Sequence, residues 1–275
     1  MTKIDKENYF DPNNRALHQS AAKDYFLCPN YFYRKNVLHT VEQKESKAFD
    51  IGHAVDDILT ETDSCDNYAI FEGDRRTKDG KAEYQALQDA GKKVVSQKDY
   101  DSIINICDAI YKTSAYKEMF KSYNRQEIIQ IPLDLGEHFD SIVGKIDFFT
   151  ITPEGVCYLN DMKTTRSIDD SKFFYSAREY GYFFQLFVYS ILLKSKYPEI
   201  KSFEYSILAG ETAEPYRVKY FKIHNQYIEQ EVDRYLYAIN GIKAGMFDKE
   251  DASIQHPTLL CAPSDRSELI NNGEI

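Results

Sequence analysis

The chain lacks most of the features that would take it out of the class of ordinary folded domains. Its five cysteines (Cys28, Cys65, Cys107, Cys157 and Cys261) are scattered, odd in number and form no CxxC pair. That pattern argues against a zinc ribbon or a disulfide frame, fits a reducing cytoplasm, and leads us to expect no iron–sulfur cluster. Long apolar runs are missing too. Stretches such as FFQLFVYSILL fall short of the ~20 residues a membrane span needs, so no membrane partner is expected. The N-terminal MTKIDKENYFDPNN has no charged-then-apolar order of a signal peptide, and no repeat or low-complexity run is visible. Positive net charge is absent as well, at −10. Non-specific nucleic-acid binding runs on phosphate neutralisation, so this total counts against it. An acidic total can still hide a basic groove, and carboxylates that hold metal ions enter the sum as negative.

What is present is enough for a real core: 43% hydrophobic and 14% aromatic residues over 275 positions. We expect one domain over 1–275, with a core of about 16–243 and an irregular tail over 245–275 carrying one short helix. Residues 16–37 suggest two short helices, the first capped by Ser20 and the second opened by Pro29. In 47–60, Ile51, Ala54, Val55, Ile58 and Leu59 form the stripe of a core-facing helix. GDRRTKDGKAEYQ reads as a basic loop leading into a helix, and 97–120 as a helix behind Ser96.

The pattern then changes. EIIQIPLDL (127–135) alternates, with Glu127, Ile129, Ile131 and Leu133 on one face. Two more strands flank the Pro153-Glu154-Gly155 turn. A helical block follows over 169–196, broken or closely packed at Gly181. Strands at 202–210 and 216–223 precede a last helix over about 226–243, capped by Asn225. The order predicts an α/β fold, a mixed sheet flanked by helices.

The hairpin carries the chemistry. With its turn centred on Glu154, facing residues have numbers that total 308, which sets Asp147 against Asp161. Lys163 lies on the same sheet face as Asp161. Like charges directly opposite are destabilising in a sheet. A divalent cation offsets that repulsion, and hard carboxylate oxygens suit Mg²⁺ or Mn²⁺. Such an ion activates water and neutralises phosphoryl charge, and a neighbouring lysine stabilises the transition state. Asp, Asp and Lys are thus the minimum set for metal-assisted phosphodiester hydrolysis. The plainer reading is a solvent-facing strand whose charges Lys145 and Lys163 neutralise. On the later helix, Tyr182, Gln185 and Tyr189 share one face. Core packing accounts for the tyrosines, but a glutamine inside FFQLFVY needs partners.

GKID147, D161MK163T and Q185LFVY189 together resemble the PD-(D/E)xK nuclease superfamily in its RecB/lambda-exonuclease branch. DRRTKDGKAEYQ, Glu127 at a strand start, DMKTT and GYFFQ extend the likeness toward phage RecE-like exonucleases, over about residues 16–240. The resemblance implies a restriction-endonuclease-like fold and a Mg²⁺-dependent deoxyribonuclease. Asp147 and Asp161 would bind the metal with the backbone carbonyl of Met162, and Lys163 would assist the water. Glu127 would be an accessory acid that positions water or a second ion. Gln185 and Tyr182 would contact the nucleic-acid backbone or brace the site, and Tyr189 belongs to the same DNA-facing group.

Relatives often place a histidine ligand four residues after a glycine on an early helix. Here Asp56 holds that place after Gly52, with His53 beside the glycine, so Asp56 is a candidate ligand or a solvated helix charge. Arg75, Arg76, Lys78 and Lys81 form a basic loop suited to phosphate, and Thr164, Thr165 and Arg166 follow the lysine closely enough to meet a backbone phosphate. The resemblance further implies a cytoplasmic, bacterial or phage-encoded exonuclease that resects double-stranded DNA ends. A single-strand-annealing recombination protein would be its partner. A homo-oligomeric ring, trimer or tetramer, would confine basic residues to a channel. A structure-directed endonuclease, a RecB-like nuclease module and a catalytically silent DNA-end-binding module are the alternatives.

Overall fold

Two strands organise the molecule. β5 (Ser141–Ile151) and β6 (Val156–Thr165) are joined by a tight turn in which the Thr152 and Gly155 amides donate to Val156 and Thr152 carbonyls. The computed structural model describes residues 3–9, 11, 13–41, 47–60 and 65–247. Every β5–β6 pair from Ile151–Cys157 to Phe148–Asn160 keeps the predicted total of 308. Pairing stops at Phe148, one residue before the two aspartates would meet.

The reason lies on the same edge of β5. β4 (Asn124–Pro132) covers the opposite edge, antiparallel, from Ser141 to Phe149. The edge that faces β6 is shared with a three-residue strand, β1 (Ala16–His18), which pairs in parallel with Ser141, Ile142 and Val143. Between β1 and β6, no strand among the described residues lies beside edge residues 144–147. The sheet has a breach there, and Asp147 stands at its mouth. β7 (Ser202–Glu211) continues the sheet in parallel beside β6, and β8 (Val218–Ile223) closes it antiparallel.

Helices cover both faces. On one, α1 (Gln19–Leu27), α2 (Pro29–Asn36), α7 (Asp170–Glu179), α8 (Tyr182–Lys196), α9 (Asn225–Glu229) and α10 (Val232–Lys243) enclose the larger core, with Phe32, Ile142, Ile146, Phe149, Leu159 and Phe184 fully buried. On the other, α3 (Lys47–Leu59), α5 (Gln97–Tyr111) and α6 (Ser114–Ser122) pack on Phe148, Met162 and Leu208. A parallel pair, β2 (Tyr68–Ile70) and β3 (Lys93–Val95), is linked through α4 (Lys78–Asp89).

These faces expose an irregularity. Ile142 and Ile146 point to the larger core, and strict alternation would send Phe148 there too. Instead Phe149 joins that core and Phe148 the other, so β5 resets its alternation at Asp147. β4 does the same at the facing step. Ile129 belongs to the larger core, whereas Arg125 stacks on Phe120 of α6 at 3.8 Å. The reset falls at Gln126, whose φ is 49°.

The predicted mixed sheet flanked by helices is the fold observed, with local corrections. The stretch 16–37 begins as β1, and α1 starts behind His18, so Ser20 lies inside the first turn and is no cap. Pro29 opens α2, and Ser96 caps α5 by accepting from the Asp99 amide at 3.2 Å. The helix expected over 97–120 divides because the Thr113 hydroxyl accepts from the Tyr116 amide and starts α6. As expected of a break at Gly181, the block 169–196 divides there into α7 and α8. The last helix divides into α9 and α10, and its cap is the His224 ring rather than Asn225. Most of the expected irregular tail, from residue 248 on, lies outside the described residues. Among the described residues no helix is long and apolar enough to cross a membrane, and Cys28, Cys65, Cys107 and Cys157 are free thiols.

Candidate active site

Three acids and a lysine gather at the breach. Asp147 is buried, and its Oδ2 accepts from the Met162 amide at 3.0 Å. That bond takes the place of the missing cross-strand ladder and turns the carboxylate along the sheet toward β6. Asp161 is 1% exposed and forms an ion pair with Lys163. The predicted like-charge contact is thus relieved in two ways, by a backbone amide and by an ammonium. Lys163 also faces the Tyr182 ring, 5.3 Å from its centroid.

The electrostatics follow from burial. Burial pushes the Asp161 carboxyl up, to about 7, with Asp147 adding to the rise and Lys163 pulling against it. For Lys163, burial alone would favour the neutral amine; Asp161 and Asp147 outweigh it and hold the ammonium charged. Lys163 is therefore a fixed cation in this arrangement.

Asp56 joins the set. Gly52 lets α3 come close to β6: a methyl there would stand 3.1 Å from Thr164 Oγ1. One turn on, Asp56 is buried enough, and near enough to Asp147, that its carboxyl rises to about 8. Burial is the main cause, Asp147 and Asp161 add to it, and Lys145 and Lys163 oppose it. His53 is exposed, so of the two residues raised beside Gly52 it is Asp56 that turns toward the acids.

α8 forms the floor. Gly144 allows the contact, since a methyl there would come within 2.7 Å of Leu192 and 2.9 Å of Tyr189. Gln185 donates to the Tyr189 hydroxyl at 2.8 Å, which answers how that amide is satisfied inside FFQLFVY. Burial drives the Tyr189 hydroxyl well above its ordinary range, and Asp147, Tyr9 and Asp161 all reinforce the rise.

Other expected residues lie elsewhere. Glu127 accepts from Lys196 at 2.5 Å and from the Tyr197 hydroxyl at 2.7 Å, at the far end of α8. A helix rises about 1.5 Å per residue, so Lys196 is about 16 Å along the axis from Gln185. Glu127 keeps step with Ile129 on the face packed against α8, at the far end of that helix from the acids. In the basic loop, Arg76 is bound by Asp74 and Arg75 stacks on Tyr84 at 4.0 Å. Lys78 and Lys81 are exposed in the first turn of α4, behind the Thr77 cap. None of these four charges is drawn into the acid cluster. Arg166 is exposed and Thr164 half-buried beside the lysine.

Three residues at the site were not foreseen. Tyr9 is buried and hydrogen-bonded to the backbone of Lys145, filling the breach from the N-terminal segment. Lys23 of α1 donates to the Tyr180 carbonyl at 2.8 Å; burial lowers its ammonium pKa, and the nearby charges of Lys35 and Lys163 lower it further. Gln126 stands across β5 from Asp147. Only long-range pairing brings these residues here, so no local signal marks them.

The donor set fits a hard cation. Among the described residues, buried Asp56 Oδ1 and Asp161 Oδ1 have no hydrogen-bond partner, an arrangement that is costly unless something else binds them. Among the described residues no three side chains of the metal-binding types form a ready-made cluster. A cation would rest on two or three carboxylates and the Met162 carbonyl, with Lys163 yielding part of its hold on Asp161.

Residues 19–253 match the family model described as "PDDEXK-like domain of unknown function (DUF3799)". The chain belongs to that family. Its acids therefore sit on a member of the PD-(D/E)xK nuclease superfamily. No curated protein matches this PDDEXK-like chain. It is similar to a crystal structure from Eubacterium rectale named "Putative exonuclease", with a TM-score of 0.64 and 16% identity over 98% of both chains. At that identity the likeness is one of fold. The structure of SSO0001 overlaps at a TM-score of 0.29, with 12% identity over 79% of this chain and 83% of that one, and carries no argument.

Proposed function

We propose that this protein is a metal-dependent deoxyribonuclease that hydrolyses phosphodiester bonds at the ends of duplex DNA. One observation carries the reading: Asp56, Asp147, Asp161 and Lys163 converge at a break in the sheet, with buried carboxylate oxygens unpartnered. The PDDEXK-like family and the name of the Eubacterium rectale protein support the reaction class.

Asp147, Asp161 and the Met162 carbonyl would hold Mg²⁺ or Mn²⁺, with Asp56 as a further ligand. When bound, the ion lowers the pKa of water and offsets charge on the phosphoryl oxygens. The rest falls to side chains. Lys163, held as a cation, stabilises negative charge developing on the phosphate without exchanging a proton. Tyr182 fixes the lysine from one side, and the Gln185–Tyr189 pair keeps the floor rigid. Lys23 extends the positive potential along the lip of the breach, where a backbone phosphate would enter. The likeness to RecE-like exonucleases extends the proposal to end resection for a single-strand-annealing protein. A ring of subunits would reconcile the charge of −10 with DNA binding.

The test is degradation of end-labelled linear duplex against closed circular duplex, with Mg²⁺, with EDTA and with Asp161→Ala. Linear DNA should be consumed only with metal and only by the wild type. Intact linear DNA across Mg²⁺, Mn²⁺ and a range of salt would refute the nuclease reading, and circular DNA cut as readily would replace the exonuclease by an endonuclease.

A further inference from the structure

Gln126 combines three costs in one residue. Its φ of 49° is in the left-handed region, which a glutamine seldom adopts. Its side chain belongs to a residue that is 5% exposed. Among the described residues neither Nε2 nor Oε1 has a hydrogen-bond partner. Buried amides are nearly always bonded, and strain of this kind collects at functional sites. Glycine or asparagine would take the backbone turn at less cost, so the turn alone gives no reason for a glutamine here.

Its position supplies the reason. The pairs Arg125–Phe148 and Glu127–Ile146 flank it, which leaves Gln126 directly across from Asp147. Both strands reset their alternation at this one step, so the register is kept on either side. Asp147 uses the step to aim its carboxylate at β6, and Gln126 is its nearest neighbour on the other strand.

We infer that Gln126 is a positioning residue of the loaded site, its amide hydrogen-bonding a water held against Asp147 in the shell of the cation. It takes the water-positioning part that the family resemblance implies for Glu127. This inference rests on the cation of the proposed function, and its test is separable from cleavage. Outer-shell partners commonly change metal affinity by about 10–100-fold.

Calorimetric titration of Mn²⁺ into wild type, Gln126→Gly and Gln126→Asn reads the effect directly. Gln126→Gly keeps the left-handed turn and removes the amide, so it should weaken Mn²⁺ binding about 10-fold or more while the metal-free melting temperature stays level or rises. Gln126→Asn restores an amide and should recover part of the affinity. A glycine variant that binds Mn²⁺ as the wild type does overturns the inference, as does a loss of affinity matched by a fall in metal-free melting temperature. Wild type that binds Mn²⁺ yet leaves linear duplex intact would sink the nuclease reading while the titration still decides the role of Gln126.

Discussion

Two buried acids on adjacent strands are treated in opposite ways. Glu211, at the end of β7, is 5% exposed and fully engaged: Arg217 grips both carboxylate oxygens at 2.7 and 2.8 Å, and the Ile168 amide donates at 3.1 Å. The Arg217 bonds hold its carboxyl below the usual range. Among the described residues Asp161, on β6, has one ammonium and an unpartnered Oδ1, and Asp56 Oδ1 is unpartnered as well. Burial raises both. The first arrangement binds α7 and the β7 end into the fold. The second buries carboxyl oxygens that the described residues leave unpartnered, which is what a binding site requires.

The contrast can be broken from either side. The largest effect is expected from Asp161→Asn, which should cut cleavage on the order of 10³-fold or more while the chain remains folded. Circular dichroism beside end-label release would check both halves. Next, saturating Mg²⁺ should stabilise the wild type against heat, by about 2.7 kcal/mol at a hundredfold excess over its dissociation constant. Asp161→Asn should show little of this, and equal shifts in the two proteins would place the ion elsewhere. Glu211→Ala should reverse the pattern, losing about 2 kcal/mol in urea melts while keeping the activity per folded molecule.

Acidity sharpens the same comparison, because the two sites respond with opposite sign. A lowered folded pKa makes Glu211 stabilising above its ordinary 4.5, and that contribution disappears as pH falls through the lowered value. Asp56 has a folded value of about 8 against an ordinary 3.8, so the folded state holds its proton more tightly across that interval. Metal-free stability should therefore fall as pH rises from 4 to 8, and Asp56→Asn should flatten this slope. Glu211→Gln should flatten only the acid limb below 4.5. Melts across pH in EDTA measure both. The smallest effect is expected at the loop: Lys81→Ala should reduce the salt slope of DNA binding by about one, and an unchanged slope would leave that lysine outside the interface.

The hairpin was readable because its register depends only on a short turn and two local strands. Residue spacing alone set Asp147 against Asp161 and put Lys163 beside them. The four-residue step from Gly52 along α3 was equally local, and it brings Asp56 near Asp147 and Asp161. Glu127 shows where local reading ends. Period-two alternation put it rightly on the face of Ile129, but Lys196 and Tyr197 hold it there at the far end of α8, a distance that no local spacing reveals; nor does anything in RQEIIQ announce the left-handed residue at Gln126. Tyr9 and β1 were invisible for a related reason. Three residues pairing with a strand more than a hundred positions later leave no periodic trace, yet they bound the breach. The helix break at Gly181 was legible in its glycine, whereas continuous apolar patterning ran across the division at Thr113.

β6 is held on both sides at once: four pairs against β5 and ten consecutive parallel pairs against β7, from Val156–Ser202 to Thr165–Glu211. A residue added or removed between Val156 and Asp161 would have to slip against both neighbours, and a slip of one turns every following side chain to the opposite face. Asp161 and Lys163 would then enter the α5 side of the sheet, and Met162 the acid pocket. The length of this short segment is thus as much a part of the site as its side chains. Along these five steps of chain, substitutions leave the acids in place, whereas an insertion or deletion removes the site outright.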